Sequence, residues 1–208
     1  MAFQQPTENP LRHRMTELGK EAIEIASWGF NVKEAYNLGY IYVLIHDWLV
    51  EEGWAPRDKD ADFNEVSYLQ RDNPNFGKEL RIRWRLEQAG FESKQLFSYL
   101  MDLEFYTLGL KDTEIVYKGN KVKTDSSEFE LKCTAYLVRD KDGFIGKSIF
   151  KGFKELLYDR WIKAQTIRHK QFVYMSAYRL RDFVADYFKQ PVLFGKEGAE
   201  YLRKRTLE

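Results

Sequence analysis

Few side chains in this sequence could do chemistry. The chain has three histidines, His13, His46 and His169, and one cysteine, Cys133. His46 neighbours Asp47, but consecutive helical residues point about 100° apart, so their spacing makes no acid–base dyad. No His-x-x-x-His, no Glu-x-x-His and no second cysteine offers the ligand spacing of a zinc or di-iron centre. Gly146-Lys147-Ser148 stands where a strand gives way to a helix, as in a phosphate loop, but that motif needs a glycine where this chain has Lys141. The sequence therefore predicts no catalytic residue, no metal site and no cofactor.

Charge points to binding. The net charge is +1, yet residues 147–208 carry 14 Lys and Arg against 7 Asp and Glu, whereas residues 1–146 carry 19 against 25. A basic half can meet an anionic partner such as nucleic acid, or it can pack on its own acidic half or on that of a second copy. Arg81, Arg83 and Arg85 alternate along one strand face, and Arg168, His169 and Lys170 interrupt the long C-terminal helix. With Tyr68, Tyr106 and Tyr136 on neighbouring strands, the arginine row is a candidate anion or nucleic-acid contact. Cross-strand pairing with Asp102 and Glu104 would cancel its charge, and that pairing is the expectation.

The elements that hold these residues follow from hydrophobic period. Asn9 and Pro10 open a stripe of Leu11, Met15, Leu18, Ala22 and Ile25 at helical spacing, which predicts a helix near 10–28. Asn31 with Glu34, then Gly53 and Pro56, bracket a second helix near 32–52, apolar on nearly every side. From residue 63 the period becomes two. Strands are predicted near 64–70, 79–87, 95–108, 113–118, 121–124 and 128–139, joined by short links, the fourth and fifth through a turn at Gly119-Asn120. A hairpin through Ala89-Gly90-Phe91 aligns the apolar faces of its two strands and sets Arg81 and Arg83 across from Asp102 or Glu104. The predicted fold is a single α+β domain over 1–208: two N-terminal helices, a five- or six-stranded antiparallel meander sheet, and a long C-terminal helix packed on the sheet.

No Pro or Gly interrupts 154–190, and an unbroken helix over 152–189 would reach about 57 Å, more than a domain of this size spans. Its apolar stripe changes face across 168–171. Ile149, Phe153, Leu156, Leu157, Ala164 and Ile167 fall on one side, and Val173, Leu180, Phe183, Val184 and Tyr187 on nearly the other. Either the helix kinks there or one face serves another surface, with 172–205 projecting. Val173, Leu180, Phe183, Val184 and Tyr187 are therefore the predicted interface of a homo-oligomer, most simply a dimer, and the leading expectation is a non-enzymatic interaction or scaffold protein; another protein could also be the partner.

Two helices, a meander and a long C-terminal helix resemble the helix-grip lipid-binding folds, although no first strand is evident. That resemblance implies an alternative function, carriage of an apolar small molecule between sheet and helix, in a cavity lined by Trp84, Phe97, Tyr99, Phe105, Phe153 and Trp161. One cysteine rules out a disulfide within the chain and suits a reducing compartment. MAFQQPTENP lacks the layout of a secretion signal, and the apolar stretch Tyr40–Ile45 is too short to span a membrane, so a cytoplasmic location is expected.

Overall fold

A computed structural model describes residues 22–55, 65–91, 96–117, 120–140 and 162–189, together with positions 152 and 160. Five antiparallel strands form one sheet: β1 (Ala22–Tyr36), β2 (Glu65–Asn73), β3 (Gly77–Ala89), β4 (Phe97–Tyr117) and β5 (Asn120–Arg139). Their spatial order is β1-β5-β4-β3-β2. The last four form the expected meander, and β1 closes back onto β5. Helix α1 (Leu38–Glu51) lies between β1 and β2 in the chain, and helix α2 (Lys163–Lys189) follows the sheet.

The N-terminal third departs from its prediction. Residues 22–28, expected in a helix over 10–28, belong to β1, and residues 10–21 lie outside the described residues. The described residues thus hold two helices, α1 and α2. Ala22 and Ile25 fit a helical stripe, but Ala26, Trp28, Phe30 and Val32 alternate with Ser27, Gly29, Asn31 and Lys33, and that period of two governs. Pairing with residues 125–138 of β5 settles the competition, since a strand can bury its alternate side chains against a sheet already in place.

The second helix is accordingly shorter. Its N-cap is Asn37, whose side chain accepts the Tyr40 amide at 3.0 Å, while the Leu38 amide donates to Asp125. The Asn31 and Glu34 of the expected capping box lie in β1. Gly53 ends the helix as predicted, at φ 76, a left-handed conformation that glycine adopts without strain. Only Ile41, Ile45 and Leu49 of α1 are fully buried, one stripe at four-residue spacing, so this helix is covered on one side.

Two pairs of predicted strands are fused. Residues 97–117 form one strand and 120–139 another, with the register slipping between Leu108 and Lys111, where Gly109 takes φ 72. Tyr117 pairs with Asn120, so the connection falls one residue earlier than Gly119-Asn120. Beyond Leu110 and Asp125 the β4–β5 ribbon pairs with neither β3 nor β1.

The core lies on one face of the sheet. Trp84, Leu86, Phe97, Tyr99, Met101, Leu103, Phe105, Phe129, Leu131, Cys133, Ala135 and Leu137 meet α1 and α2 there, matching the alternation read from β3, β4 and β5. A smaller cluster of Ala22, Leu100, Tyr136 and Val138 is buried on the opposite face. No helix of the described residues is long and apolar enough to cross a membrane.

The β2–β3 turn is anchored against the slip in β4. Gly77 sits at φ 93, and a Cβ on it would come 2.7 Å from the Leu110 carbonyl oxygen. Gly77→Ala should destabilise the fold by about 1–3 kcal/mol, seen as a lower urea midpoint at constant slope. An unchanged midpoint would mean that the hairpin does not need this approach.

Candidate functional site

α2 runs without interruption from Lys163 to Lys189, so the kink considered near 168–171 does not occur. Of the four polar residues there, His169 turns inward and continues the buried stripe with Val173, Ser176, Ala177, Leu180 and Val184. One inward residue in a turn is enough to keep the seam continuous.

Polar tips of buried aromatics fasten this seam. The Trp28 indole N–H donates to the Ala177 carbonyl at 2.9 Å, and that of Trp54 to the Ser176 hydroxyl at 2.9 Å. The Tyr99 hydroxyl meets His169 Nδ1 at 2.5 Å, and the Tyr187 hydroxyl donates to the Asn37 carbonyl at 3.4 Å. His169, expected as a solvent or anion contact, is fully buried, with its ring 4.2 Å from that of Phe97 and 4.6 Å from that of Phe91. Its two expected companions stay outside: Arg168 is exposed and Lys170 half-buried.

The residues expected at a subunit interface lie on the same seam. Val173, Leu180 and Val184 have no exposed surface, Phe183 packs on Trp48, and Tyr187 packs on Tyr40 and Phe188. The strand missing from the prediction explains the difference. β1 widens the sheet beside β5, so α2 finds apolar cover on β1, β5 and β4 of its own chain. The described part of the segment 172–205 therefore lies on the sheet.

Four of the expected cavity residues are core. Trp84, Phe97, Tyr99 and Phe105 are buried and hold one another or their neighbours: Trp84 meets Phe105 and Tyr42 at ring distances of 4.8 and 4.7 Å, and Tyr99 meets Phe172 at 5.1 Å. Phe153 and Trp161 lie outside the described residues.

The arginine row stands on the opposite face of the sheet, as the alternation requires. Arg83 faces Glu104 and bridges to it at 2.5 Å, Arg85 faces Asp102 with both largely buried, and Arg81 faces Tyr106. The Arg81 guanidinium lies 4.8 Å above the Tyr106 ring and bonds Glu79 at 2.9 Å. Arg81, Arg83, Glu104 and Tyr106, with Leu69, Glu130 and Lys132, line a groove of about 500 Å³. Its cations face carboxylates, which leaves little net charge to attract an anion.

Among the described residues no group of three or more His, Cys, Asp and Glu could hold a metal ion. His46 Nδ1 lies 3.6 Å from Asp47, too far for a hydrogen bond. Burial pushes the Cys133 thiol well above its ordinary range, away from the thiolate form that reacts.

The outward side of α2 is different in kind. Ile167, Tyr174 and Met175 are 48, 46 and 57 % exposed. The Tyr174 and Tyr178 rings lie 4.5 Å apart, and the Arg181 guanidinium sits 4.7 Å from the Tyr178 ring. Sequence reasoning placed Ile167 on this side but missed Tyr174, Met175 and Tyr178. Tyr174 lies seven residues after Ile167 and Tyr178 four after Tyr174, and that spacing was the available signal.

No protein-family model matches the chain, and neither a curated protein nor a solved structure matches it.

Two predictions test the seam. Ser176→Ala strips the Trp54 indole of its acceptor and should cost about 1–3 kcal/mol in urea unfolding, much of it recovered when Trp54→Phe removes the donor as well. The second concerns alkaline pH. Burial raises the phenols of Tyr36 and Tyr187 from 10.0 to about 12, so the folded chain keeps protons there that the unfolded chain releases. Stability should fall as pH rises from about 10 through 12, each phenol contributing a slope of at most about 1.4 kcal/mol per pH unit. Tyr36→Phe should make that decline shallower, measured by denaturant unfolding at stepped pH; an equal slope in both proteins would refute the assignment.

Proposed function

We propose that this protein is a non-enzymatic interaction protein that assembles with a second copy of itself through the outward face of α2. The exposed stripe of Ile167, Tyr174 and Met175, with half-buried Tyr178 against Tyr174, carries the reading. An aromatic patch of this kind is costly to leave in water and is enriched at protein interfaces. One feature supports a second copy as the partner. The stripe runs along a straight helix of about 40 Å, long enough for two to pack side by side.

Sedimentation velocity tests this. The wild-type chain should be dimeric or larger at micromolar concentration, and Tyr174→Glu with Met175→Glu should abolish that contact while the circular dichroism spectrum and melting temperature hold, because both side chains are exposed. If the wild-type chain shows no association that these substitutions reduce, the reading fails. α2 carries six Lys and Arg against two Asp, so a monomer that binds single-stranded oligonucleotide, with affinity falling steeply in salt, would reassign the face to nucleic acid.

A further inference from the structure

The outer side of α2 has the spacing of a helix-pairing seam. Ala164, Ile167, Gln171, Tyr174 and Tyr178 follow one another at steps of three, four, three and four residues, the alternation of a heptad, on the side away from His169, Val173 and Leu180. Ala164, Ile167, Gln171 and Tyr174 are exposed, and Tyr178 is half-buried against the Tyr174 ring. Exposed Met175 flanks the seam. Side chains grow along it: alanine and isoleucine stand towards the start of the helix, glutamine in the middle, and two tyrosines follow.

We propose that two copies join along this seam in antiparallel orientation, with Ile167 of each chain packed on Tyr178 of its mate and Gln171 on Tyr174. This rests on the reading of α2 as a self-association face and fixes how the two helices lie. Size decides the orientation. Straight helices keep one separation along their contact, so the layers of side chains between them must be of similar thickness. Parallel pairing would put alanine on alanine at one end and tyrosine on tyrosine in two successive layers at the other, a wedge that two straight helices cannot close. Antiparallel pairing puts a smaller residue against a tyrosine in each of the four central layers, and the thickness stays even. The heptad sets the register, because its two kinds of position face each other across an antiparallel seam, and the two-fold axis then passes between Gln171 and Tyr174. A polar residue in the middle of an apolar seam also selects against slippage. One step away, the Gln171 amide would be held against Ile167 instead of beside a tyrosine that carries a hydroxyl.

Cross-linking of the full chain by a short bis-maleimide tests this, with single cysteines placed on the outer side of α2 while buried Cys133 stays silent. Gln171→Cys stands within about 5 Å of its counterpart along the helix in either orientation, so it should link to itself wherever α2 is the contact. Ile167→Cys should not link to itself, because eleven residues separate 167 from 178 and antiparallel pairing holds the two copies of 167 about 17 Å apart along the helix. Mixed with a tagged chain carrying Tyr178→Cys, it should form the crossed pair. A Gln171→Cys link accompanied by a self-link of Ile167→Cys, or by no crossed pair, overturns the antiparallel seam and leaves the α2 contact standing. Absence of the Gln171→Cys link removes both.

Discussion

The seating of α2 depends on satisfying the polar ends of aromatics that the core cannot do without. Trp28, Trp54 and Tyr99 supply large apolar areas, and each also carries a hydrogen-bonding group into a place without water. The Ala177 carbonyl, the Ser176 hydroxyl and His169 meet those groups from one helix face. An apolar contact can slide by a fraction of a turn at small cost, but these three bonds at different positions along α2 fix both its height and its rotation.

Fixing the rotation decides what the helix shows to solvent. With His169, Val173, Ser176, Ala177, Leu180 and Val184 inward, the residues on the other side must face out, and there the chain places Ile167, Tyr174 and Met175. Exposure of this stripe is thus a consequence of the core. The two apolar stripes of the helix do face opposite ways, and a single sheet can cover only one.

Pairing within the sheet settles the charges in the same manner. The antiparallel register of β3 and β4 sets Arg83 against Glu104 and Arg85 against Asp102, so a row of three arginines in sequence becomes a largely neutralised surface in space. Among the described residues the meander also leaves β2 at one border of the sheet, while β1 fills the other border beside β5. The described surface therefore carries a largely neutralised arginine row on the sheet and an exposed apolar stripe along α2.

Local pattern alone determined much of the sheet. Strict alternation in 79–87, 95–108 and 128–139 gave the inward residues Trp84, Phe97, Tyr99, Phe105 and Leu131, the outward arginines and their acidic partners, because side-chain facing in a strand is a property of the backbone. The sequence likewise carried the helical character of 38–51 and 163–189. It could not decide β1, where helical spacing at Ala22 and Ile25 competed with alternation at Ala26, Trp28, Phe30 and Val32, since the winner depends on β5, more than ninety residues away. Missing that strand inverted the reading of α2. Which of two apolar stripes is core follows from the width of the sheet beneath it, a quantity that exists only once distant strands have paired.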